Sequence, residues 1–372
     1  TMAAIITEKF RLNNAKQFVE DMTEGTSKSY MFVGRGHSWT DDSTPPTPVD
    51  NPNDEYDAYR NMIALKAITS SDISHAIVRR DWTSGTTYDE YRHNYSSANT
   101  SSSSATSIWS SLYYVVTDDY NVYKCLSNGT ADGTAANAST VKPDHTTVAT
   151  PTESDQYQWK YMYSISASDV IKFVTNDFLP IKTMGAKLAV HGGVSNAAGD
   201  NDGRLGDAAT DDGSAQWDVE NGAVDGSLDK VRVIAAGSGY TASTTTANIV
   251  IRGDGTSGVA TVVTNGSGGV SSCSITTAGS GYTTAYLANE DIPGFDNASQ
   301  RADGTNVSAN IEFIIAPKNG HGADPITELG ANYVILNSRL EYAEGSGDFP
   351  TDNDFRQIGV VVNPTDAGGN TL

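Results

Sequence analysis

The stretch 155–166, Asp155-Gln156-Tyr157-Gln158-Trp159-Lys160-Tyr161-Met162-Tyr163-Ser164-Ile165-Ser166, decides how this chain is read. Tyr157, Trp159, Tyr161 and Tyr163 recur at every second position, with Gln158, Lys160, Met162 and Ser164 between them. Alternation with period two predicts a half-buried strand with one aromatic and one mixed face. Upstream, 122–126 (VYKCL) predicts a second strand. These two segments read as framework, and the polar, turn-rich residues between them as decoration.

Composition agrees with a β-rich chain. Of 372 residues, 38% are apolar and 35 are glycine, and the polar remainder favours Ser, Thr, Asn and Asp. That mixture argues against a helix bundle. The length allows two domains, or one domain with a large insertion. A net charge of −21 repels a phosphate backbone, so neither nucleic acid nor an anionic membrane is expected as a partner. Cys125 and Cys273 are too few for a disulfide scaffold or a structural zinc site and are expected to be reduced. Charged residues follow the short apolar start at once, so no signal peptide is expected. No apolar run approaches the ~20 residues of a membrane span, which predicts a soluble protein.

In chain order, 3–7 predicts a short strand. A helix then follows from Asn13 or Asn14, with Ala15, Phe18, Val19 and Met22 on one face and Gly25 as its stop. Strand 29–35, a proline-rich loop at 44–48 and a helix from Asn53 or Asp54 to about Ala67 come next. Strand 75–80 precedes a low-complexity serine run, 96–107, read as a mobile loop. A hairpin is expected from 113–117 and 121–126, and a weak helix at 168–175. From about 186 to 308, Gly, Ala, Asp, Ser and Thr dominate. Here Ala236-Gly237-Ser238-Gly239-Tyr240-Thr241 returns as Ala278-Gly279-Ser280-Gly281-Tyr282-Thr283, 42 residues later. The repeat predicts a matching turn in two similar hairpins. Ordinary strand composition resumes at 311–316, 333–336 and 355–362. The expected fold is therefore mainly β (α+β). An antiparallel framework with a few peripheral helices spans 1–185 and 309–372, and a small all-β module is inserted at 186–308.

Few residues suggest chemistry. Gly253-Asp254-Gly255-Thr256-Ser257-Gly258 fits the dinucleotide pattern G-x-G-x-x-G, but strand residues 259–264 follow where a helix is required. It reads as a hairpin turn. The six histidines lack ligand spacing. Asp200, Asp202, Asp207, Asp211 and Asp212 could gather around Ca²⁺, but they miss the EF-hand register and read as a solvated acidic loop. No catalytic residue, cofactor or metal is expected. The most distinctive cluster is Arg79-Arg80-Asp81-Trp82, either a partner clamp or an internal Arg–Asp pair with Trp packed beside it.

The segments AIITEKF with its helix (4–22), MFVGRGHSW (31–39), IVRRDW (77–82), YKCL (123–126), QYQWKYMYSI (156–165) and FRQIGVVVNP (355–364) stand in this order. Together they resemble gene product 8, the dimeric baseplate wedge subunit of T-even-like contractile phages. The Gly/Thr-rich repeat resembles GSGYT-bearing insertions in structural proteins of marine relatives of those phages. The family pattern continues past the last segment, so further residues beyond Leu372 are expected. The resemblance implies a non-enzymatic virion protein of the tail baseplate, assembled in the host cytoplasm. It also implies a homodimer that contacts other wedge subunits. Candidate interface or framework residues are Arg79, Arg80, Asp81, Trp82, Tyr157, Trp159, Tyr161, Phe355 and Arg356, and exposed aromatics such as those of 157–163 or Trp82 would suit large, fairly apolar interfaces. The alternative is a phage surface protein that binds host carbohydrate through 186–308, with Tyr240, Tyr282 and Trp217 stacking on sugars.

Overall fold

In the computed structural model, Thr7 starts the first helix, earlier than Asn13 or Asn14. Its hydroxyl accepts the Phe10 amide at 3.2 Å, and Glu8 adds a carboxylate to the first turn, both favourable at a helix N-terminus. The structure describes residues 6–23, 27–47, 49, 51–129, 136–184, 215–295, 306–340, 354–366 and 368–372. Of the expected strand at 3–7, residues 3–5 lie outside this set and 6–7 are not strand; the stop at Gly25 and the acidic loop at 200–212 also lie outside.

In chain order the elements begin with α1 (Glu8–Thr23), β1 (Ser29–Gly34), α2 (Pro52–Asn61), β2 (Met62–Ala67) and β3 (Ile73–Val78). Next come β4 (Tyr114–Val116), β5 (Asn121–Asn128), β6 (Tyr157–Ser164), α3 (Ala167–Phe173), β7 (Phe178–Ile181) and α4 (Ala215–Asn221). The repeat region holds β8 (Leu228–Ala235), β9 (Thr245–Val250), β10 (Arg252–Gly253), β11 (Val259–Thr264), β12 (Val270–Thr277) and β13 (Ala285–Tyr286). Then follow β14 (Asn310–Ile315), α5 (Pro325–Glu328), β15 (Tyr333–Leu336) and β16 (Gln357–Val362). The fold is mostly antiparallel sheet with few helices.

The chain forms two compact units. Unit 1 comprises Thr1–Ile77, Ser168–Ile181 and Ala331–Leu372. It holds the three-stranded sheets β16-β1-β2 and β15-β3-β7. α1 buries only Leu12 and Ala15, and Phe18, expected on its inner face, is exposed. The helix expected to run to Ala67 ends at Asn61, because 62–67 pairs antiparallel with β1, from Tyr30↔Ala67 to Gly34↔Met62. Tyr56, Tyr59 and Ile63 fit a helical spacing, yet strand pairing outweighs it, as tertiary context commonly does.

Unit 2 comprises Val78–Ala167 and Lys182–Gly330. Its sheet β4-β5-β6 contains the two framework strands, paired from Asn121↔Ser164 to Asn128↔Tyr157. β6 is not half-buried. Trp159 and Tyr157 are fully inaccessible, and on the other face Met162 is too, with Lys160 close behind. On that second face Lys160 donates to the Val148 carbonyl at 2.6 Å, and α4 packs on the strand with Val219 in the cluster of Tyr157, Trp159 and Tyr161. The serine run is held by buried Asp89, which accepts the Ser103 amide at 2.8 Å, the Ser103 hydroxyl at 2.6 Å and the Leu112 amide at 2.8 Å. Serines here satisfy a buried carboxylate, which composition could not reveal.

The repeat region is an internal duplication. β11 pairs with β12 as Val259↔Thr277, Ala260↔Ile275, Thr261↔Ser274, Val262↔Cys273, Val263↔Ser272 and Thr264↔Val270. β14 pairs with β8 as Asn310↔Ala235, Ile311↔Val233, Glu312↔Arg232, Phe313↔Val231, Ile314↔Lys230 and Ile315↔Leu228. β12 follows β8 by 42 positions and β14 follows β11 by 51; with these shifts the ladders superpose partner for partner, irregularities included. The first repeat's leading strand is thus completed by the second repeat, and the second's by the first. The GSGYT segments close neither hairpin, contrary to expectation. They bridge the halves, Ser238 to Val307 and Ser280 to Thr256. Gly237 and Gly279 both sit at φ 63°, where a side chain would strike the bridging strand.

Candidate interface surfaces

Arg79, Arg80, Asp81 and Trp82 leave the end of β3 and run beside β4. The Trp82 amide donates to the Val116 carbonyl and the Val116 amide to the Arg80 carbonyl, both at 2.8 Å. Arg79 reaches Asp81 through Nε at 3.0 Å, and the Arg80 guanidinium lies 4.5 Å from the Tyr114 ring centroid. The Trp82 indole donates to the Ser139 hydroxyl at 3.1 Å and packs against the cluster that contains Tyr157, Trp159 and Tyr161. The structure therefore joins seven of the nine predicted residues, from 79–82 and β6, in unit 2. The β6 aromatics are inside it. Tyr157 and Trp159 stack at 5.4 Å, and the Tyr157 hydroxyl accepts the Tyr88 amide while donating to the Asn137 carbonyl. The expectation of exposed rings at 157–161 is overturned because the chain wraps both faces of the strand.

Beside them lies a charge network that the sequence did not single out. Lys124 on β5, fully buried, donates to Glu328 on α5 at 2.7 Å and sits 4.3 Å from the Tyr91 ring centroid. Glu328 also accepts the Gly322 amide at 3.0 Å and the Asp324 amide at 3.2 Å. His321 contacts Asp229 through Nε2 and stands edge-on to Tyr91 at 4.8 Å. Burial pushes the His321 pKa below its ordinary value despite Asp229 nearby, and burial does the same at His93. Lys124 and Glu328 are 204 positions apart, so no local pattern could pair them. Lys124, Glu328 and His321 are buried and Asp229 reaches the surface, so the network ties strands, helix and rim together.

The three rings assigned to sugar stacking are also inside unit 2: Tyr240 is 4% exposed, Tyr282 2% and Trp217 7%. Each repeat tyrosine turns back beneath the opposite half. The Tyr240 hydroxyl accepts the Ala309 amide at 2.8 Å, and Tyr282 accepts the Gly258 amide at 3.1 Å while donating to the Ile251 carbonyl at 3.0 Å. This explains the G-x-G-x-x-G match. A methyl group on Gly255 would come within 2.3 Å of the Tyr282 ring, and one on Gly258 within 2.6 Å of its hydroxyl. The glycines make room for a tyrosine.

Phe355 and Arg356 belong to unit 1, where the accessible surface is of another kind. Arg356 grips Asp42 through Nε and Nη2, both at 2.9 Å, and holds the Asp42 carboxyl below the ordinary carboxylate range. β1 ends in an irregularity at Gly34, and Arg35 follows with φ 53°, its guanidinium 3.4 Å from the Trp39 ring centroid. Arg35, Trp39 and Arg356 wall a groove of about 630 Å³ that is also lined by Pro45, Pro46, Val49 and Ile358. Unit 1 displays further apolar side chains: Phe10, Tyr56, Tyr59, Ile63, Ile171 and Val362 are all exposed.

Among the described residues no three His, Cys, Asp or Glu side chains gather as metal ligands, and no helix is long and apolar enough to cross a membrane. Both cysteines are free thiols.

Residues 4–141 match the family Phage-Gp8, described as Bacteriophage T4 Gp8. The matched span runs from before α1 through β5 and includes the groove residues Arg35 and Trp39, the 79–82 cluster and Lys124. It ends before β6 and the duplicated module. No curated protein matches the chain.

Proposed function

We propose that this chain is a structural subunit of a contractile phage tail baseplate wedge. It would work as a homodimer that holds neighbouring wedge subunits through protein–protein interfaces and moves with them when the tail contracts. The observation that carries this reading is the match of residues 4–141 to the T4 Gp8 family. The architecture supports it: Lys124, Glu328 and His321 of unit 2 are locked into a buried network, while unit 1 offers a groove and exposed apolar side chains. In this reading the module that begins at about 186 and closes with β14 (Asn310–Ile315), past the expected 308, is an insertion that decorates the framework. A host-carbohydrate contact there would need side chains other than Tyr240, Tyr282 and Trp217.

An antibody raised against the purified chain tests the assignment. Gold label at the distal end of isolated tails of the encoding phage is expected. Label absent from tails, or spread along capsid or sheath, would sink the proposal.

A further inference from the structure

We infer that β16 is the surface through which two copies of this chain associate, its outer edge pairing antiparallel with itself about a two-fold axis through Val360. The inference deepens the dimeric reading above and rests on it.

Register decides which groups are on offer. The Asn363 amide donates to the Lys28 carbonyl at 2.8 Å, and the ladder continues as Val361↔Tyr30, Gly359↔Phe32 and Gln357↔Gly34. These odd-numbered residues turn their main chain toward β1, so Ile358, Val360 and Val362 turn theirs to the other side. β16 is the end strand of its sheet among the described residues. An unprotected edge is normally blunted by a charge or a proline. The other end strand, β2, carries Lys66, whose ammonium reaches the Arg339 carbonyl at 2.6 Å. β16, Gln-Ile-Gly-Val-Val-Val, has no such guard within it.

Charge and shape favour a second copy as the occupant. Two chains at −21 repel across most surfaces, and this uncharged strand is a place where they can approach. Centred on Val360, antiparallel pairing sets Val360 against Val360 of the second copy and Ile358 against its Val362. These outward residues include the most exposed apolar side chains of the strand, Ile358 at 74% and Val362 at 54%. Pairing would cover both at once. Asn363, with φ 48°, turns the chain out of the strand, and the Pro364 carbonyl is taken by the Leu372 amide at 3.0 Å, so the ladder ends after Val362. The contact is isologous, so it closes at two copies instead of growing into a fibre.

The test compares the intact chain with Val360→Lys, and with Ile63→Lys on the opposite edge, by light scattering over a dilution series. Thermal melts report whether each variant is folded. Dimeric wild type and Ile63→Lys are expected, with Val360→Lys folded but dissociating at concentrations at least about tenfold higher, because it sets like charges directly opposite each other. Val360→Cys in a Cys273→Ser background supplies an independent arm, since a residue on the axis should form an intermolecular disulfide on oxidation. Should Val360→Lys fail to fold, that cross-link decides. A wild-type dimer that neither loses affinity with Val360→Lys nor cross-links at position 360 overturns the β16 interface and leaves the dimer standing. A wild type that is monomeric throughout overturns both.

Discussion

Unit 2 completes itself and unit 1 does not. In unit 2, β6 is covered on both faces, Lys124 finds Glu328, and each repeat of the module supplies the strand the other lacks. In unit 1, no residue of β2, β15 or β16 is fully buried, and the clearest polar interaction, Asp42 with Arg356, lies at the surface. The two units share a chain and a preference for antiparallel sheet, so the difference lies in where the partners of their apolar and charged groups come from. A self-completing unit should be damaged by core substitutions. An open one should tolerate surface changes in isolation and lose its partners instead.

The largest effect is expected at the buried pair. Lys124→Met leaves Glu328 charged and without its partner, which should cost about 3–5 kcal/mol in urea unfolding. Lys124→Met with Glu328→Gln should recover part of that loss. If the single and double variants unfold alike, the pair is not what fixes α5 on the sheet.

The duplication gives the next test. Tyr282→Phe removes the acceptor for the Gly258 amide and should cost about 1–3 kcal/mol. Tyr240→Phe should cost less, because the Ala309 amide keeps Asn289 Oδ1 as an acceptor at 3.0 Å. Equal losses would show that Asn289 does not compensate and that the halves match in energetics as well as in register.

Acid should separate the units next. His321 and His93 have folded pKa values below their ordinary value of 6.5. Both are neutral in either state above that pH, so the stability associated with them is complete there. As pH falls through 6.5 the unfolded chain takes up protons first, and that stability is lost toward the folded pKa values. The groups facing His321 are Asp229, Glu328, Lys124 and Tyr91. In unit 1, Asp42 is depressed by its hydrogen bonds to Arg356 and the Trp39 amide, so its contribution persists until pH drops through 3.8. In unit 2, Asp254, held at about 2 by the Thr283 hydroxyl and neighbouring amides, yields later still. Urea midpoints between pH 7 and 5 should therefore fall for unit 2 while unit 1, reported by Trp39, hardly moves. A parallel fall in both would remove the distinction.

How much of this was legible follows the same divide. Alternation in 157–163 marks β6 as a strand because backbone period is local. That both its faces are covered depends on Val148 and α4, which no window around 157–163 contains. The GSGYT repeat was visible as a repeat, but its exchange of strands is a matter of register between segments far apart. Ile63 fits a helix as well as a strand, and only β1 decides. Arg356 was reached through a resemblance, whereas Arg35 and Trp39 gain meaning only once Gly34 bends the chain toward them.

The smallest expected effect sharpens the comparison most. Ile358→Ser changes a side chain that is 74% exposed, so monomer stability should move by no more than about 0.5 kcal/mol. Its influence should appear in association, since the same residue borders the groove and lies on the outward side of β16. Comparing the melting temperature of the dilute chain with its dimer dissociation constant separates the two roles. A large loss of melting temperature at high dilution would mean that unit 1 uses Ile358 for its own packing and is more closed than its exposure suggests. An unchanged melt with weakened association would place the missing half of its contacts on another molecule, as an open sheet requires.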